Sequence, residues 1–410
     1  MKKVAIVSSG YFPVPDVLGG AVEGLVTCIA CENGRSGDLD LKVFSMDDSD
    51  ARREAESFGA ATRFEFVAIP GCVKAADKVI YWVAKNVLRK QKNLSWAHIL
   101  QRVYYLRAVG RSLAREEVDV LVLENHPTQF MALRRYGNAE RYKGKVMLHL
   151  HNEITSDFGQ KELMSQVSAV ACVSGFIARS FAAFMGWHED DGRLRVLRNC
   201  AIDPFFVRGR SSEARADARR RYGITDDEFV VLFSGRLTAE KGAAELLEAF
   251  SRVAVPNSRL LIAGAYYFKD GAKSPFEEEL KRKAAVLGER VLFTGYVDHS
   301  QMADLYAACD VVCNPSVWDD PAPLANIEGL AAGKPVVATY SGGVPEYVDD
   351  SCGVLVKRGD GIVDELTRAL TNLAFDSGLR QRLSEGARKA AEGLDARSYY
   401  EHFREIAAEI

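Results

Sequence analysis

The stretch "WDDPAPLANIEGLAAGKPVVATYSGGVPE" at residues 318–346 decides the fold of the second half of the chain. Its middle part, 322–332, has the pattern of a helix, and the "PVVA" after it has the pattern of a buried strand. Another apolar run, "DVVCNPS" at 310–316, comes directly before it. A strand, a helix and a strand with continuous Val-rich strands are typical of a parallel sheet covered by helices on both faces.

The same alternation extends along the chain. Apolar runs such as "KVAIVSS" at 3–9, "DVLVLEN" at 119–125 and "FVVLFSGR" at 229–236 are separated by helix-like stretches. Short runs of this kind, bounded by polar residues, predict buried parallel strands. The fold class expected from this order is α/β, with doubly wound sheets.

A polar stretch at 199–228 interrupts this rhythm, and we predict a linker within it near 203–212. The expected division is an N-terminal domain over 1–205 and a C-terminal domain over 206–395. The last segment, 396–410, has apolar residues at helical spacing and is expected to form a helix that could pack back on the first domain.

Composition limits the possible functions. The chain has 410 residues, 48% of them hydrophobic, and a net charge of −3, so it can bury a large core and has no overall affinity for polyanions. The N-terminal "MKKVAIVSSGYFP" predicts a first buried strand and not a secretory signal. Cys28 and Cys31 form a CxxC, but no second CxxC or nearby His completes a metal site, so we expect reduced cysteines in a cytoplasmic protein.

Ligands of doubly wound sheets bind beyond the carboxyl ends of the strands, so the loops at these ends are the first candidates for a site. The loop after the first strand ends in Gly19 and Gly20, followed by a helical stretch. Two glycines allow a backbone to approach a ligand closely, and a helix start offers N–H groups to an anion. A simple helix-entry loop is an equally open interpretation.

The loop "GRLTAEKG" at 235–242 places Arg236 and Lys241 five residues apart, between Gly235 and Gly242. An Arg fork and a Lys point charge at a strand end could converge on a diphosphate. The alternative is a solvated charged loop.

Further along, Glu328 falls within an apolar predicted helix, where a carboxylate is costly unless it is hydrogen-bonded. The two hydroxyls of a ribose would suit it, with Asp320 in the preceding loop.

These motifs together, "GGAVEG" (19–24), "GRLTAEKG", the D-x7-E pair and "GLAAGKPVVATYSGGVPEYV" (329–348), resemble the retaining glycosyltransferases of the family 4 type. The similarity covers nearly the whole chain and is most specific over 229–348. It implies the GT-B fold, in which two doubly wound Rossmann-like domains face a central cleft. The C-terminal domain would bind a nucleotide-sugar donor, and the N-terminal domain would lie on the acceptor side.

The resemblance also implies roles for individual residues. The residues expected to be catalytic are Arg236, Lys241, Asp320 and His151, with His149 as a weaker candidate beside it. The residues expected to bind the donor are Gly19, Gly20, Gly235, Tyr296, Val297, Leu324, Ala325 and Glu328.

The family places its Arg and Lys on the diphosphate, its first acid on the sugar, its second acid on the ribose and the "TGYVDH" loop at the base. Two departures stand out in this chain: the first acid is Asp320, where the family usually has Glu, and Pro323 replaces a Gly and has no N–H. The amides of Leu324 and Ala325 would then serve the diphosphate.

No metal and no further cofactor are expected, because fixed cations and helix-start dipoles can stabilise a leaving diphosphate. The D-x-D patterns at 38–40 and 48–50 are interpreted as surface acids. The expected activity is the transfer of a hexose-type sugar from a nucleotide donor with retention of anomeric configuration. UDP is the nucleotide expected first.

Residues 71–115 carry ten Lys or Arg against Asp77 alone, a charge of +9. Within 74–92, five cations at helical spacing share one face, with Tyr81 and Trp82 at its flanks and three Val residues largely opposite. The five cations are Lys74, Lys78, Lys85, Arg89 and Lys92. Such a face suits an anionic membrane surface, and a solvated helix face is an equally open interpretation. Nucleic acid is not expected as a partner.

Three functions therefore compete. The first is transfer to a lipid-linked or surface-glycan acceptor, at the inner face of the cell membrane. The second is the same chemistry on a small soluble acceptor. The third is a non-catalytic protein that binds nucleotide sugars.

Overall fold

The computed structural model of the protein describes residues 1–87, 98–265 and 274–410, and the statements below apply to them. The chain divides into two compact units. Unit 1 comprises Met1–Val173, Ile177–Leu197 and Tyr400–Ile410, and unit 2 comprises Ser174–Phe176 and Arg198–Tyr399.

Unit 1 contains a seven-stranded sheet. Its strands are β1 (Lys2–Val7), β2 (Leu39–Met46), β3 (Thr62–Val67), β4 (Val120–Glu124), β5 (Val146–Leu150), β6 (Ala169–Cys172) and β7 (Leu194–Val196). They pair in the order β3-β2-β1-β4-β5-β6-β7, and each neighbouring pair is parallel. The helices between residues 1 and 197 are α1 (Ala21–Ser36), α2 (Ser49–Ala55), α3 (Gly71–Asn86), α4 (Ile99–Leu113), α5 (Asn138–Arg141), α6 (Lys161–Met164) and α7 (Gly175–Met185).

Unit 2 contains a six-stranded sheet. Its strands are β8 (Phe229–Ser234), β9 (Ser258–Ala263), β10 (Val291–Gly295), β11 (Val311–Asn314), β12 (Val336–Thr339) and β13 (Gly353–Val356). They pair in parallel in the order β10-β9-β8-β11-β12-β13. The helices from residue 198 onward are α8 (Asp203–Val207), α9 (Ser212–Arg221), α10 (Ala243–Arg252), α11 (Pro275–Ala284), α12 (His299–Ala308), α13 (Leu324–Ala331), α14 (Ile362–Phe375), α15 (Ser377–Ala390) and α16 (Ala396–Ala408).

Burial explains why these runs form strands. All side chains of Val4–Val7 in β1 and of Val336–Ala338 in β12 are fully buried. Parallel strands with helices on both faces have no solvated side, so a continuous apolar run stabilises them where an alternating one would not. The predicted α/β class with two doubly wound sheets is thereby confirmed, and the predicted helix at 322–332 corresponds to α13.

Each sheet has a point at which the chain reverses its direction of winding. In unit 1 this switch point lies between β1 and β4, and in unit 2 it lies between β8 and β11. Loops diverge there at the carboxyl ends of the strands, and a ligand can enter the crevice between them. The residues that follow β1, β4, β8 and β11 are therefore the ones to search for a site.

The segment between the two sheets differs from the sequence prediction. The stretch 203–212, predicted as a linker, forms α8 and the start of α9, because Phe205 is fully buried. The structure divides the chain between Leu197 and Arg198, whereas the sequence analysis placed the division after residue 205.

The last residues of the chain, 400–410, belong to unit 1. Tyr400 donates a hydrogen bond from its hydroxyl to Asn33 Oδ1 at 2.8 Å, and Lys2 Nζ donates to the Ala408 carbonyl at 3.1 Å. The end of α16 is thus fixed to α1 and β1, as the sequence analysis proposed for the C-terminal helix. Among the described residues, none of the helices combines the length and the apolar character that crossing a membrane requires.

Candidate functional site

The loop after β8 meets the loop after β11 at the switch point of unit 2. Gly242, which follows a short 3-10 helix, has a φ of 74°, and a Cβ there would lie 1.9 Å from the Pro315 carbonyl oxygen. Only glycine allows both this backbone conformation and this approach. Val317 N also donates to the Glu240 carbonyl at 2.9 Å. The contacts hold the 235–242 loop against the residues that lead to Asp320.

Lys241 and Asp320 form a direct ion pair in this place. Lys241 Nζ lies 2.6 Å from Asp320 Oδ2, and the Ser316 hydroxyl donates to the same oxygen at 3.1 Å. The Asp320 side chain is 5% exposed and that of Lys241 is 21% exposed. The resemblance assigned Asp320 to the sugar and Lys241 to the diphosphate. The structure brings these two side chains into direct contact.

Arg236 is placed in the same loop with its guanidinium accessible. Its side chain is 54% exposed, and its nearest carboxylate oxygen, Glu240 Oε1, is 3.9 Å from Nη2. An exposed pair at this distance contributes little to stability. Arg236 can therefore turn its fork towards an incoming anion without losing a strong interaction.

Glu328 is buried in α13 and is held by two protein side chains. The Tyr306 hydroxyl donates to Oε2 at 2.7 Å, and His299 Nε2 lies 2.9 Å from Oε1. Burial and the neighbouring Glu328 charge raise the pKa of Tyr306 well above its usual value, so the hydroxyl remains a donor. The sequence analysis named only a ribose as the partner of Glu328. The structure shows two protein partners as well, Tyr306 and His299. A carboxylate has further lone pairs, so Glu328 can still accept from another hydroxyl.

The start of α13 offers backbone donors close to these side chains. Pro323 stands at the N-cap without a side-chain cap, and Leu324 and Ala325 are the first two residues of the helix. Their N–H groups have no acceptor among the described residues, as is usual for the first turn of a helix. The positive end of the helix dipole makes this position favourable for an anion.

The loop after β10 supplies the remaining donor-binding candidates. Tyr296 and Val297 directly follow Gly295, the last residue of β10, and the chain then reaches His299, the partner of Glu328. Their loop and α13 are thereby linked by one hydrogen bond. Gly235, another donor-binding candidate of unit 2, directly follows β8 and donates its N–H to the Ala263 carbonyl at 3.0 Å.

The "SGG" turn after β12 has a packing role. Gly343 N donates to the Asp320 carbonyl at 2.9 Å, and a Cβ on Gly343 would lie 1.9 Å from the Pro321 carbonyl oxygen. Gly342, with a φ of 52°, approaches the same loop. The two glycines therefore allow the turn to pack directly on the backbone that presents Asp320.

In unit 1, the glycines of the loop after β1 make room for a buried carboxyl group. Gly19 and Gly20 have φ values of 80° and 119°, and a Cβ on Gly20 would lie 2.3 Å from Glu23 Oε2. The Ser9 hydroxyl donates to Glu23 at 2.5 Å. Burial raises the pKa of Glu23 to about 7. The structure thus explains the glycine at position 20 by the room that the Glu23 side chain needs. The donor-binding role of Gly19 and Gly20 stays a prediction.

His151, the predicted strand-end histidine, follows β5 and belongs to a buried triad with Glu124 and His149. Glu124 Oε2 lies 3.0 Å from His151 Nε2, and Oε1 lies 3.1 Å from His149 Nδ1. Burial alone would raise the pKa of Glu124, but the two imidazoles outweigh it and lower this pKa to about 2. Burial and the neighbouring His149 lower the pKa of His151 to about 4. Glu124 is therefore ionised and fixes the orientation of His151.

The same three residues could hold a metal ion. Within the described part of the chain, one ligand atom of each lies within 4.8 Å of the others. Both histidines already use a ring nitrogen on the carboxylate, so the hydrogen bonds account for the burial of all three side chains. The structure gives no independent reason to place a metal there.

The basic segment is only partly a surface feature. Lys74, Lys78 and Lys85 of α3 are exposed, whereas Arg89 and Lys92 lie outside the described residues. The valines predicted to lie opposite the cations do not all turn inward, since Val79 and Val87 are exposed, as is Trp82. Asp77 is buried because it accepts hydrogen bonds from the backbone N–H groups of Leu100 and Gln101 at the start of α4.

Four site residues were absent from the sequence analysis: Glu23, Glu124, His299 and Tyr306. The first three had a usable signal, since Glu124 ends a strand and Glu23 and His299 lie within quoted motifs. Tyr306 had none, because its place in a helix resembles that of any core tyrosine.

Comparison with known proteins relates the chain to glycosyltransferases. The family described as "Glycosyl transferases group 1" matches residues 214–390. A D-inositol 3-phosphate glycosyltransferase of Xylanimonas cellulosilytica is 30% identical over 313 residues, which is 75% of this chain and 71% of that protein. An alpha-monoglucosyldiacylglycerol synthase of Acholeplasma laidlawii is 28% identical over 379 residues, or 90% of this chain and 88% of that one.

Among solved structures, HepE of Anabaena in complex with UDP-glucose superposes with a TM-score of 0.72 at 18% identity, with 100% of both chains covered. Two Rossmann-like units with this likeness show that the chain has the GT-B fold. The chain belongs to the group 1 glycosyl transferases.

Proposed function

We propose that this glycosyltransferase moves a hexose-type sugar from a UDP-linked donor to a lipid-linked or surface-glycan acceptor, with retention of anomeric configuration. The observation that carries the donor part is the arrangement at the unit 2 switch point. Positive charge is provided there by Lys241, by the accessible Arg236 and by the first N–H groups of α13. The carboxylate of Glu328 can accept hydrogen bonds from ribose hydroxyls.

The chemistry follows from these charges. The acceptor hydroxyl oxygen would form a bond to the anomeric carbon while the bond from that carbon to the diphosphate oxygen breaks. The electron pair stays on the leaving diphosphate, and the hydroxyl proton passes to it when attack occurs on the same face. Fixed cations stabilise the developing charge most when no reorganisation is needed.

UDP as the nucleotide is supported by the fold shared with a protein solved in complex with UDP-glucose. The role of Asp320 on the sugar and of His151 near the reacting centre are parts of the same proposal. Release of UDP from UDP-sugars in the presence of a glycan or lipid-linked acceptor tests it. A protein that binds the donor and never turns it over would be the non-catalytic alternative.

Transfer is expected to persist in excess chelator. Lys241, Arg236 and the helix start would supply the positive charge that a divalent ion supplies elsewhere. The measurement compares initial rates with and without EDTA, followed by re-addition of Mg²⁺ or Mn²⁺. Complete loss that either ion restores would contradict metal independence.

For the acceptor, we propose docking of α3 on an anionic membrane. Its exposed side carries Lys74, Lys78 and Lys85 beside Val79 and Trp82. Cations attract acidic headgroups, and exposed apolar and aromatic side chains insert at the interface, so the combination suits a peripheral contact. Such docking would bring the enzyme to a lipid-linked acceptor.

Reversing Lys78, Lys85 and Arg89 to Glu is expected to abolish sedimentation with anionic liposomes. Each cation near such a surface contributes roughly 1 kcal/mol, so three reversals cost several. Wild-type binding should also weaken at 1 M salt, where screening shortens to ~3 Å. A matched control reverses the exposed cations Arg368, Arg382 and Lys389, which lie in unit 2, and should still bind.

The acceptor alternatives separate in the same assay. Turnover of a short soluble acceptor analogue should survive the reversals of Lys78, Lys85 and Arg89. Wild-type protein that ignores anionic liposomes at low salt would favour the small soluble acceptor.

A further inference from the structure

Arg102 is a buried cation with most of its hydrogen-bonding capacity unused. It lies in the first turn of α4 and is 7% exposed. Its Nη1 donates to the Tyr11 hydroxyl at 2.7 Å, and the guanidinium lies 4.5 Å from the centre of the Tyr11 ring. Nε and Nη2 are buried and have no hydrogen-bond partner within the described part of the chain. Burying donors without acceptors is costly.

Arg219, which is also buried, shows how this chain normally satisfies such a side chain. Arg219 Nη2 pairs with Asp310 Oδ2 at 3.0 Å, and its Nε and Nη1 donate to backbone carbonyls. The comparison shows that burial of an arginine alone does not leave it unpaired in this fold. Within the described residues, Arg102 has no carboxylate partner comparable to the Asp310 of Arg219.

The electrostatic surroundings of Arg102 contain no compensating carboxylate among the described residues. Burial lowers its pKa, and the neighbours that favour its charge are Tyr11 and Tyr105. Of the two undescribed segments, 88–97 contains neither Asp nor Glu, and 266–273 contains one acid, Asp270. A buried charge is stable only when it is paired. The described residues therefore supply no partner for Nε and Nη2, which leaves both nitrogens available to a ligand.

Arg102 also lies where a ligand of unit 1 is expected. Its partner Tyr11 belongs to the loop after β1, and His126, which Arg102 is close enough to affect electrostatically, follows β4. β1 and β4 flank the switch point. Gln129, in the short 3-10 helix after His126, is fully buried and its Oε1 has no donor within the described residues. Unused donors and an unused acceptor thus belong to side chains associated with the segments that follow β1 and β4 at this switch point.

We propose that Arg102 binds an oxyanion, phosphate or carboxylate, carried by the acceptor substrate at the switch point of unit 1. A planar guanidinium with two unpaired nitrogens matches two oxygens of such a group. Gln129 Oε1 would accept a hydroxyl of the same molecule, so a phosphorylated sugar or polyol fits both. The identification of this ligand as the acceptor rests on the proposed function; the anion site itself does not.

The test measures thermal unfolding with glucose 1-phosphate, with glucose as the neutral control, and with inorganic phosphate. Wild-type protein is expected to gain several degrees with the two phosphates and not with glucose, because a ligand that binds the folded state raises its stability. Arg102→Met should lose this gain, and Arg102→Lys should keep only a part of it. Without ligand, Arg102→Met should unfold at or above the wild-type temperature, whereas Arg219→Met should unfold well below it.

Lys241→Ala, which alters unit 2 only, separates the two anion sites. It should keep the phosphate response if Arg102 provides the site. A response that Lys241→Ala loses and Arg102→Met keeps would overturn the inference and leave the proposed function intact. No response of wild-type protein to either phosphate or to phosphatidylglycerol vesicles would also overturn it.

A vesicle arm distinguishes the source of the anion. Loss of the response in Arg102→Met with the free phosphates indicates a small phosphorylated acceptor. Loss confined to vesicles of phosphatidylglycerol indicates a lipid headgroup. Vesicle binding that is insensitive to Arg102, without any free-phosphate response, would count against the site.

Discussion

Lys241→Ala is expected to lower glycosyl transfer by about 10²-fold or more, since a preorganised contact to the leaving diphosphate disappears. The structure adds a second consequence. Lys241 is the ion-pair partner of the buried Asp320, so its removal leaves that carboxylate unpaired. Losing one partner of a buried pair costs about 3 kcal/mol of the free energy of unfolding. The ion pair therefore makes a loss of stability part of the expected result.

A double variant separates the two consequences. Lys241→Ala combined with Asp320→Asn removes the unpaired charge, so stability should return towards the wild-type value. Transfer should stay low, because neither cation nor carboxylate is restored. Recovery of both stability and wild-type-like transfer in the double variant would show that Lys241 serves only to neutralise Asp320.

Arg236→Ala is expected to reduce transfer to a similar degree, about 10²-fold, without a measurable loss of stability. Its side chain is half exposed and, among the described residues, its one ion pair is the long contact to Glu240, so the folded state is expected to lose little stability. The matched control is Glu240→Ala, which removes the other partner and should leave the rate unchanged. Steady-state rates and thermal unfolding of both variants provide the comparison, and a wild-type-like rate in Arg236→Ala would remove it from the site.

The fold could be predicted because its determinants are local. Runs such as Val4–Val7 and Val336–Ala338 are continuous and apolar, and this pattern fits few structures other than strands buried on both faces. The stretch 203–212 was mistaken for a linker because its charges mask one buried aromatic, Phe205, which fixes a short helix. Burial of this one side chain therefore determines the structure of a segment that is charged in composition.

The site could be predicted only where a motif places residues close together in sequence. Gly235, Arg236 and Lys241 belong to one loop, and the spacing of Asp320 and Glu328 follows from one loop and one helix. Contacts between segments that are distant in sequence could not be predicted.

Three contacts illustrate this limit: Lys241 with Asp320, Tyr306 with Glu328 and His151 with Glu124. Each requires the sheet order, which the sequence does not state. Arg102 is the clearest case, because the sequence analysis only counted it among the ten cations of 71–115, and the structure shows that it is buried.

Binding of a panel of nucleotide sugars, measured by calorimetry on wild-type protein and on Arg236→Ala, tests the central claim that the unit 2 switch point is a nucleotide-sugar site. Arg236 is the suitable probe because its side chain is half exposed, and its removal is expected to leave the fold unaffected. The account predicts that at least one UDP-sugar binds wild-type protein and that Arg236→Ala binds it distinctly more weakly. Absence of binding for the whole panel, or equal affinity in both proteins, would contradict it.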